Sequence, residues 1–174
     1  LNTTAGTTGG NGANGTVVTF NYTSSAGDLA EWYETKDGVE AGDVVALSRD
    51  FLEYDAPLGL EKASILEKAV SGTRVVGVVS TVAYQTIGGD ILSNAKHPRR
   101  IALAGRVPVK VTEKNGKIEA GDLLTASDIP GVAMRATKAG VTVGQALEDS
   151  DCGEGEVCKV SVMVNTSYST GALL

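Results

Sequence analysis

The side chains best able to do chemistry crowd into one short stretch, "DSDCGEGEVC" at 149–158. Asp149, Asp151, Glu154 and Glu156 offer carboxylate oxygens at near-alternate positions in a loop with two glycines, which is the donor type and spacing that suits Ca2+. The match to a full calcium loop is incomplete, and the same acids also read as a solvated acidic hairpin. Ca2+ is thus the one cofactor the sequence suggests, beside the plain expectation of none. Cys152 and Cys158 are the only cysteines, and their C-x5-C spacing is neither a redox C-x-x-C nor a zinc ribbon. With His97 the single histidine, a tetrahedral zinc set within one chain is not expected. A disulfide closing the acidic loop is the preferred reading and implies an oxidising, extracellular setting. Two reduced thiols in a hairpin are the alternative.

Two further carboxylates sit in a repeated phrase. "VEAGDVV" at 39–45 and "IEAGDLL" at 118–124 differ only in their apolar residues. Each is followed by an echo, "VVGVVST" around Gly77 and "TVGQALE" around Gly144. Gly42 and Gly121 can take positive φ at a sharp turn, and Asp43 and Asp122 can accept hydrogen bonds from nearby backbone amides. A turn role is favoured over catalysis, because no partner nucleophile or base lies nearby in sequence. The basic cluster "KHPRR" at 96–100 reads as an exposed loop, with an anion site or a neighbour's acids as alternatives. No Gly-Lys-[Ser/Thr] follows any glycine-rich run, so there is no P-loop.

These residues need a scaffold, and the pattern for one is mostly β. Strands are expected at 44–47, 75–81, 101–104, 107–112, 123–126, 132–136, 141–147 and 157–164. "LEKASILEKAV" at 60–70 has helical propensity but strand-like alternation, and its glycine-flanked β context favours a strand. Asn115 and Gly116 predict a type I′ turn in a hairpin running on through 118–122. "SSAGDLAEWYET" carries a capping pattern, Ser25-x-x-Asp28, and predicts one or two helical turns. Residues 1–15 are Thr, Gly and Asn with little to bury, and "TVVTFNY" at 16–22 reads as an extended strand. The expected fold is therefore a mainly β, compact domain with a duplicated turn–strand unit, one short helix and an extended N-terminal strand. An N-terminal tail, 1–25, precedes a β-rich core, 26–174.

The 174 residues carry a net charge of −6, which argues against a nucleic-acid or membrane-surface partner. No apolar run approaches the ~20 residues needed to span a bilayer. The first residue is Leu1, as in a processed chain or an excised fragment. Four of the seven asparagines, Asn2, Asn14, Asn21 and Asn165, lie in N-x-[S/T] sequons, again pointing outside the cell.

"DLAEWYETKDG", "EAGDVV", "VVGVVST", "IALAGRVPVKV", "NGKIEAGDLLTAS", "PGVAMRA", "VGQALE" and "VSVMVNTSY" together resemble a C-terminal domain of secreted bacterial surface proteins and tail-fibre-like proteins, over about residues 26–168. "DLAEWYE" and "GVVST" are more distantly similar to the autocleaving chaperone domain of phage neck-appendage proteins. That second resemblance implies a domain that follows a fibrous trimer, assists its assembly and is released by acidic residues. Asp28, Glu31 and Glu34 are the positions that match. On a helix Asp28 and Glu31 would share a face, with Glu34 shifted around it. Against that role, 27 residues still precede Asp28, whereas a domain liberated by a cut at that border should not carry such a tail; a solvated helical turn with three exposed acids is the favoured reading.

The leading functional expectation is a non-enzymatic, extracellular or cell-surface structural protein that forms a homo-oligomer or polymer. Val17, Val18, Phe20 and Tyr22 would supply a strand to a neighbour's open sheet edge and so build a filament. The alternative is an autoproteolytic chaperone domain of a tail-spike or fibre protein, a self-cleaving acidic (glutamic/aspartic) peptidase. A carbohydrate-binding adhesive module is a third possibility, weakened by Trp32 being the sole Trp.

Overall fold

The structure is a computed structural model and describes residues 27–56, 59–153 and 155–171. The expected tail and donor strand, sequons Asn2, Asn14 and Asn21, and Glu154 lie outside the described residues. Ten β-strands and one 3₁₀ turn make up the described fold: β1 (Gly27–Glu34), β2 (Val44–Ala56), β3 (Gly59–Lys68), β4 (Val75–Val79), β5 (Gln85–Ile87), the turn Gly89–Ser93, β6 (Pro98–Thr112), β7 (Leu123–Ala126), β8 (Ala133–Arg135), β9 (Gly140–Ala146) and β10 (Val157–Ser169). The mainly β expectation holds, and 60–70 falls in β3 as a strand.

Two expectations are overturned. Residues 27–34 form a strand and not a helix. The capping pattern is outcompeted by pairing, because β1 lies antiparallel to β6 from Gly27↔Arg106 to Glu34↔Pro98 and parallel to β5. Among the described residues the one helical element is instead the 3₁₀ turn at Gly89–Ser93. The hairpin at 107–122 forms its turn but not its second strand. Gly116 N–H donates to Glu113 O at 2.7 Å, and among the described residues only glycines have positive φ, so Asn115 cannot adopt the type I′ conformation. After Gly116 the chain leaves β6, and Ile118 exchanges bonds with Ser150.

β6 is the spine. At Ala102 it is flanked by Ala30 of β1 and Val78 of β4; at Val111 it is flanked by Ala133 of β8 and Cys158 of β10. From its carboxyl half a closed ring runs β6–β8–β7–β9–β10 and back to β6. Val107, Val109 and Val111 face Val160, Val162 and Val164 inside it, with Ile118, Leu124 and Val143. From its amino half a second ring runs β6–β4–β2–β3, and Thr35 at the end of β1 closes it through a bridge to Leu66, with Lys36 N–H donating to Leu66 O at 2.8 Å. Val39, Val45, Leu66, Val79 and Ile101 fill that ring.

The rings repeat one plan, as the duplicated phrase predicts. Asp43 Oδ2 accepts from Glu40 N–H at 2.8 Å, and Asp122 Oδ2 from Glu119 N–H at 2.9 Å. Val79 N–H donates to Asp43 O at 2.9 Å, and Ala146 N–H to Asp122 O at 2.8 Å. Val44 and Val45 pair with Val78 and Gly77; Leu123 and Leu124 pair with Gln145 and Gly144. Gly42 and Gly121 have φ of 88° and 100°, the left-handed conformation this tight corner requires.

Candidate functional site

The strand geometry of β1 separates the three acids. On a strand, residues three apart point to opposite faces. Glu31 accepts from the Tyr33 hydroxyl at 3.1 Å, and burial together with Glu31 pushes that phenol up to about 12. Glu34 is buried, and its two oxygens accept the backbone amides of Lys96 (2.8 Å) and His97 (3.0 and 3.1 Å). It clamps the start of β6 to the end of β1. Asp28 lies elsewhere, and the structure does not bring the three together.

Asp28 stands at the amino end of β1 and is only 4% exposed. Its carboxyl faces its own backbone amide and the Ser80 side chain, yet neither Asp28 Oδ2 nor Ser80 Oγ completes a hydrogen bond of good geometry. Burial dominates and raises its pKa above the ordinary value. The Ser80 hydroxyl, its own amide and the more distant Arg100 oppose this without cancelling it. Asp28, Ser80, Thr81, Arg106 and Ser161 line a cleft of about 200 Å³. The peptide bond before Asp28 is held close against β6: a Cβ on Gly105 would lie 2.1 Å from Gly27 O.

Asp43 is the contrasting acid. It is 1% exposed, but Lys110 Nζ lies 2.8 Å from Oδ1 and Lys68 Nζ 3.2 Å from Oδ2. Burial pulls the Lys110 pKa down, but Asp43 and Glu40 outweigh this and hold it raised. Asp43 is thus neutralised in place as a corner piece.

The remaining predicted residues are dispersed. Cys152 and Cys158 are disulfide-bonded. Asp149 accepts from Ala120 N–H at 2.9 Å, Asp151 and Glu156 are exposed, and among the described residues no cluster of three His, Cys, Asp or Glu is placed to hold a metal. Asn165 is exposed on β10. In the basic cluster Arg99 donates to Val39 O at 2.9 Å, and Arg100 donates to Thr81 O and stacks 5.7 Å from the Trp32 ring centre. Sequence reasoning missed Ser80. Its signals were a hydroxyl ending the apolar run "VVGVV" and its place in "GVVST", one of the two stretches that carry the autochaperone resemblance.

The described residues define a mainly β domain built on two rings around β6. No protein-family model matches the sequence, and no curated protein is similar to it. The solved structures that share the fold include two of one bacteriophage protein. The pre-mature bacteriophage phi29 gene product 12 superposes with a TM-score of 0.55 at 16% identity over 82% of this chain, which spans 22% of that protein. The C-terminal fragment of the same gene product superposes with a TM-score of 0.51 at 18% identity, over 79% of this chain and 100% of the fragment.

Proposed function

We propose that this chain is a self-cleaving, assembly-assisting C-terminal domain of an appendage or fibre protein, cut on the amino side of Asp28. One observation carries the reading. A buried carboxyl with a raised pKa and an unpartnered oxygen faces the nitrogen of the peptide bond that opens β1. The fold shared with the C-terminal fragment of phi29 gene product 12 supports it.

The chemistry is hydrolysis by one shuttling group. Ionised Asp28 takes a proton from water, and the water oxygen bonds to the Gly27 carbonyl carbon. The C–N bond to Asp28 then breaks, and the same carboxyl returns the proton to the departing nitrogen, which it already faces. A raised pKa makes the carboxylate a stronger base. Intact-mass measurement of the 174-residue chain during incubation tests the reading. Wild type is expected to yield 1–27 and 28–174, and Asp28→Asn to stay whole. A wild type that never cuts, or a variant cut at the wild-type rate, refutes it.

A second reading, strand donation by Val17, Val18, Phe20 and Tyr22 to a neighbouring copy, has one observation in its favour. Among the described residues β3 is an edge strand, laddered to β2 and bridged on its other side to Thr35 at Leu66. Deleting residues 1–22 is expected to leave a folded monomer, and continued polymerisation in scattering or electron microscopy would exclude it.

A further inference from the structure

The link from β4 to β5, residues 80–84, must cross the sheet. β4 pairs with one edge of β6, β1 occupies the other edge, and β5 lies beyond β1. The crossing is pinned at both ends, by Ser80 N–H to Arg100 O at 2.8 Å and by Tyr84 N–H to Asp28 O at 3.0 Å. It thereby lays Ser80 and Thr81 over Asp28 and forms one wall of the cleft. Ser80 is 6% exposed, and its hydroxyl is without a partner of good geometry.

A buried hydroxyl and a buried carboxyl oxygen, each short of a partner and facing one polar cleft, form a costly arrangement. A cleft of about 200 Å³ is roomy enough for water, which needs two to four polar partners. Building on the self-cleavage reading, we propose that Ser80 is a positioning residue that holds, jointly with Asp28, the water that attacks Gly27. One water hydrogen goes to Asp28 Oδ2 and the other to Ser80 Oγ, which leaves the oxygen lone pair for the Gly27 carbonyl carbon. Ser80 exchanges no proton with the substrate. The bond made, the bond broken and the proton returned to nitrogen are those of hydrolysis by Asp28. The charged group acting on Asp28 is Arg100 and the one sharing its cleft is Arg106, both from β6; the crossing link and β10 contribute Ser80, Thr81 and Ser161 to the cleft.

The test compares wild type, Ser80→Ala and Ser80→Thr in the full chain. Two quantities are read: cleavage rate against pH by mass spectrometry, and the Asp28 carboxyl titration by carbon-detected NMR on the slowly cut or uncut protein. Ser80→Ala is expected to slow cleavage by roughly 10- to 100-fold. It also moves the acidic limb of the profile and the Asp28 titration upward together, because the Ser80 O–H, whose oxygen accepts from the water while its own hydrogen favours the ionised Asp28 carboxyl, is lost. Ser80→Thr, which keeps the hydroxyl, restores most of the rate. A purely structural role would slow cutting without moving the limb, and that result overturns the proposal, as does Ser80→Ala cutting at the wild-type rate. If wild type does not cut at all, the self-cleavage reading falls, and the titration then decides on Ser80 by itself. An unchanged Asp28 titration in Ser80→Ala rejects the pairing, and an upward shift upholds it.

Discussion

Replacing Gly77 or Gly144 by alanine probes the duplicated frame at its two matching points of closest approach. A Cβ on Gly77 would lie 2.3 Å from Ala102 O on β6, and one on Gly144 would lie 2.1 Å from Met163 O on β10. Both obstacles are backbone inside a ladder, so neither can swing aside as a side-chain tip would. Relieving the overlap needs the strands to part by about 1 Å, which breaks about two ladder hydrogen bonds at ~1 kcal/mol each. Displaced core valines bring the total to about 3 kcal/mol. Gly72→Ala is the control: φ is +85°, but nothing lies within 4 Å of its Cβ. That leaves only the left-handed strain of about 1–2 kcal/mol. Urea unfolding and thermal melts of the three variants are expected to place Gly77→Ala about 10 °C below wild type and Gly144→Ala somewhat lower, because its φ of +157° adds backbone strain to the same close approach, with Gly72→Ala nearest wild type. If either strand glycine costs no more than Gly72, close backbone approach is not what selects glycine there, and the equivalence of the rings fails.

Three other predictions follow from the structure. Asp43→Asn leaves Lys68 and Lys110 beside a neutral group and is expected to lower stability by about 2–3 kcal/mol in denaturant titrations, while the half-exposed counterpart change Asp122→Asn costs less than 1 kcal/mol. Replacing both Cys152 and Cys158 by serine frees a loop with a sequence separation of 6, and the chain-entropy estimate is a loss of about 2 kcal/mol, to be read from the melting shift of the oxidised protein against the variant. For Asp28 the folded pKa lies above its unfolded value, so its favourable contribution is complete below the unfolded pKa and is lost as pH rises through the folded one. Asp28→Asn is therefore expected to melt like wild type in acid and to be more stable by about 1 kcal/mol at pH 7; a variant less stable at neutral pH contradicts this sign.

Legibility in the sequence followed the range of the interaction. Strands with period-two apolar patterning, such as 107–112 and 157–164, were readable because one face is buried in a ring. The repeated Glu-Ala-Gly-Asp corner was readable because its hydrogen bonds span only three residues. The carboxyl part of β10 extends well past the predicted strand, since its pairing with Gly140–Thr142 is set by residues remote in sequence. The carboxyl part of β2 was missed although its partner is the adjoining β3, Ala56↔Gly59 onward, because that hairpin is mostly exposed and lacks an apolar face to read. β1 was misread for the same reason. Its local signal, Ser25 and Asp28 at cap spacing, is helical, and a ladder to β6, some seventy residues away, overrides it. Ser80 lay in the quoted "GVVST" but was not singled out, because what distinguishes it, burial beside Asp28, depends on a link crossing the sheet.

The duplication also locates the chemistry. β1 plays in the amino-terminal ring the part that the carboxyl half of β6 plays in the other, with Thr35↔Leu66 matching Val111↔Ala133. Seven residues before each bridge stand Asp28 and Ala104, so the acid belongs to what differs between the copies, not to the shared frame. Asp43 shows what a structural acid looks like here: it recurs in both units, satisfies a turn, and is held between two lysines. Asp28 has none of these features. Its burial is offset only in part by Ser80, its own amide and Arg100, which is destabilising for the charged form, and neither corner of the duplicated frame uses it. The self-cleavage reading gives that unfavourable burial a purpose, because the same desolvation that costs stability raises the basicity of the carboxylate beside the bond at the start of β1.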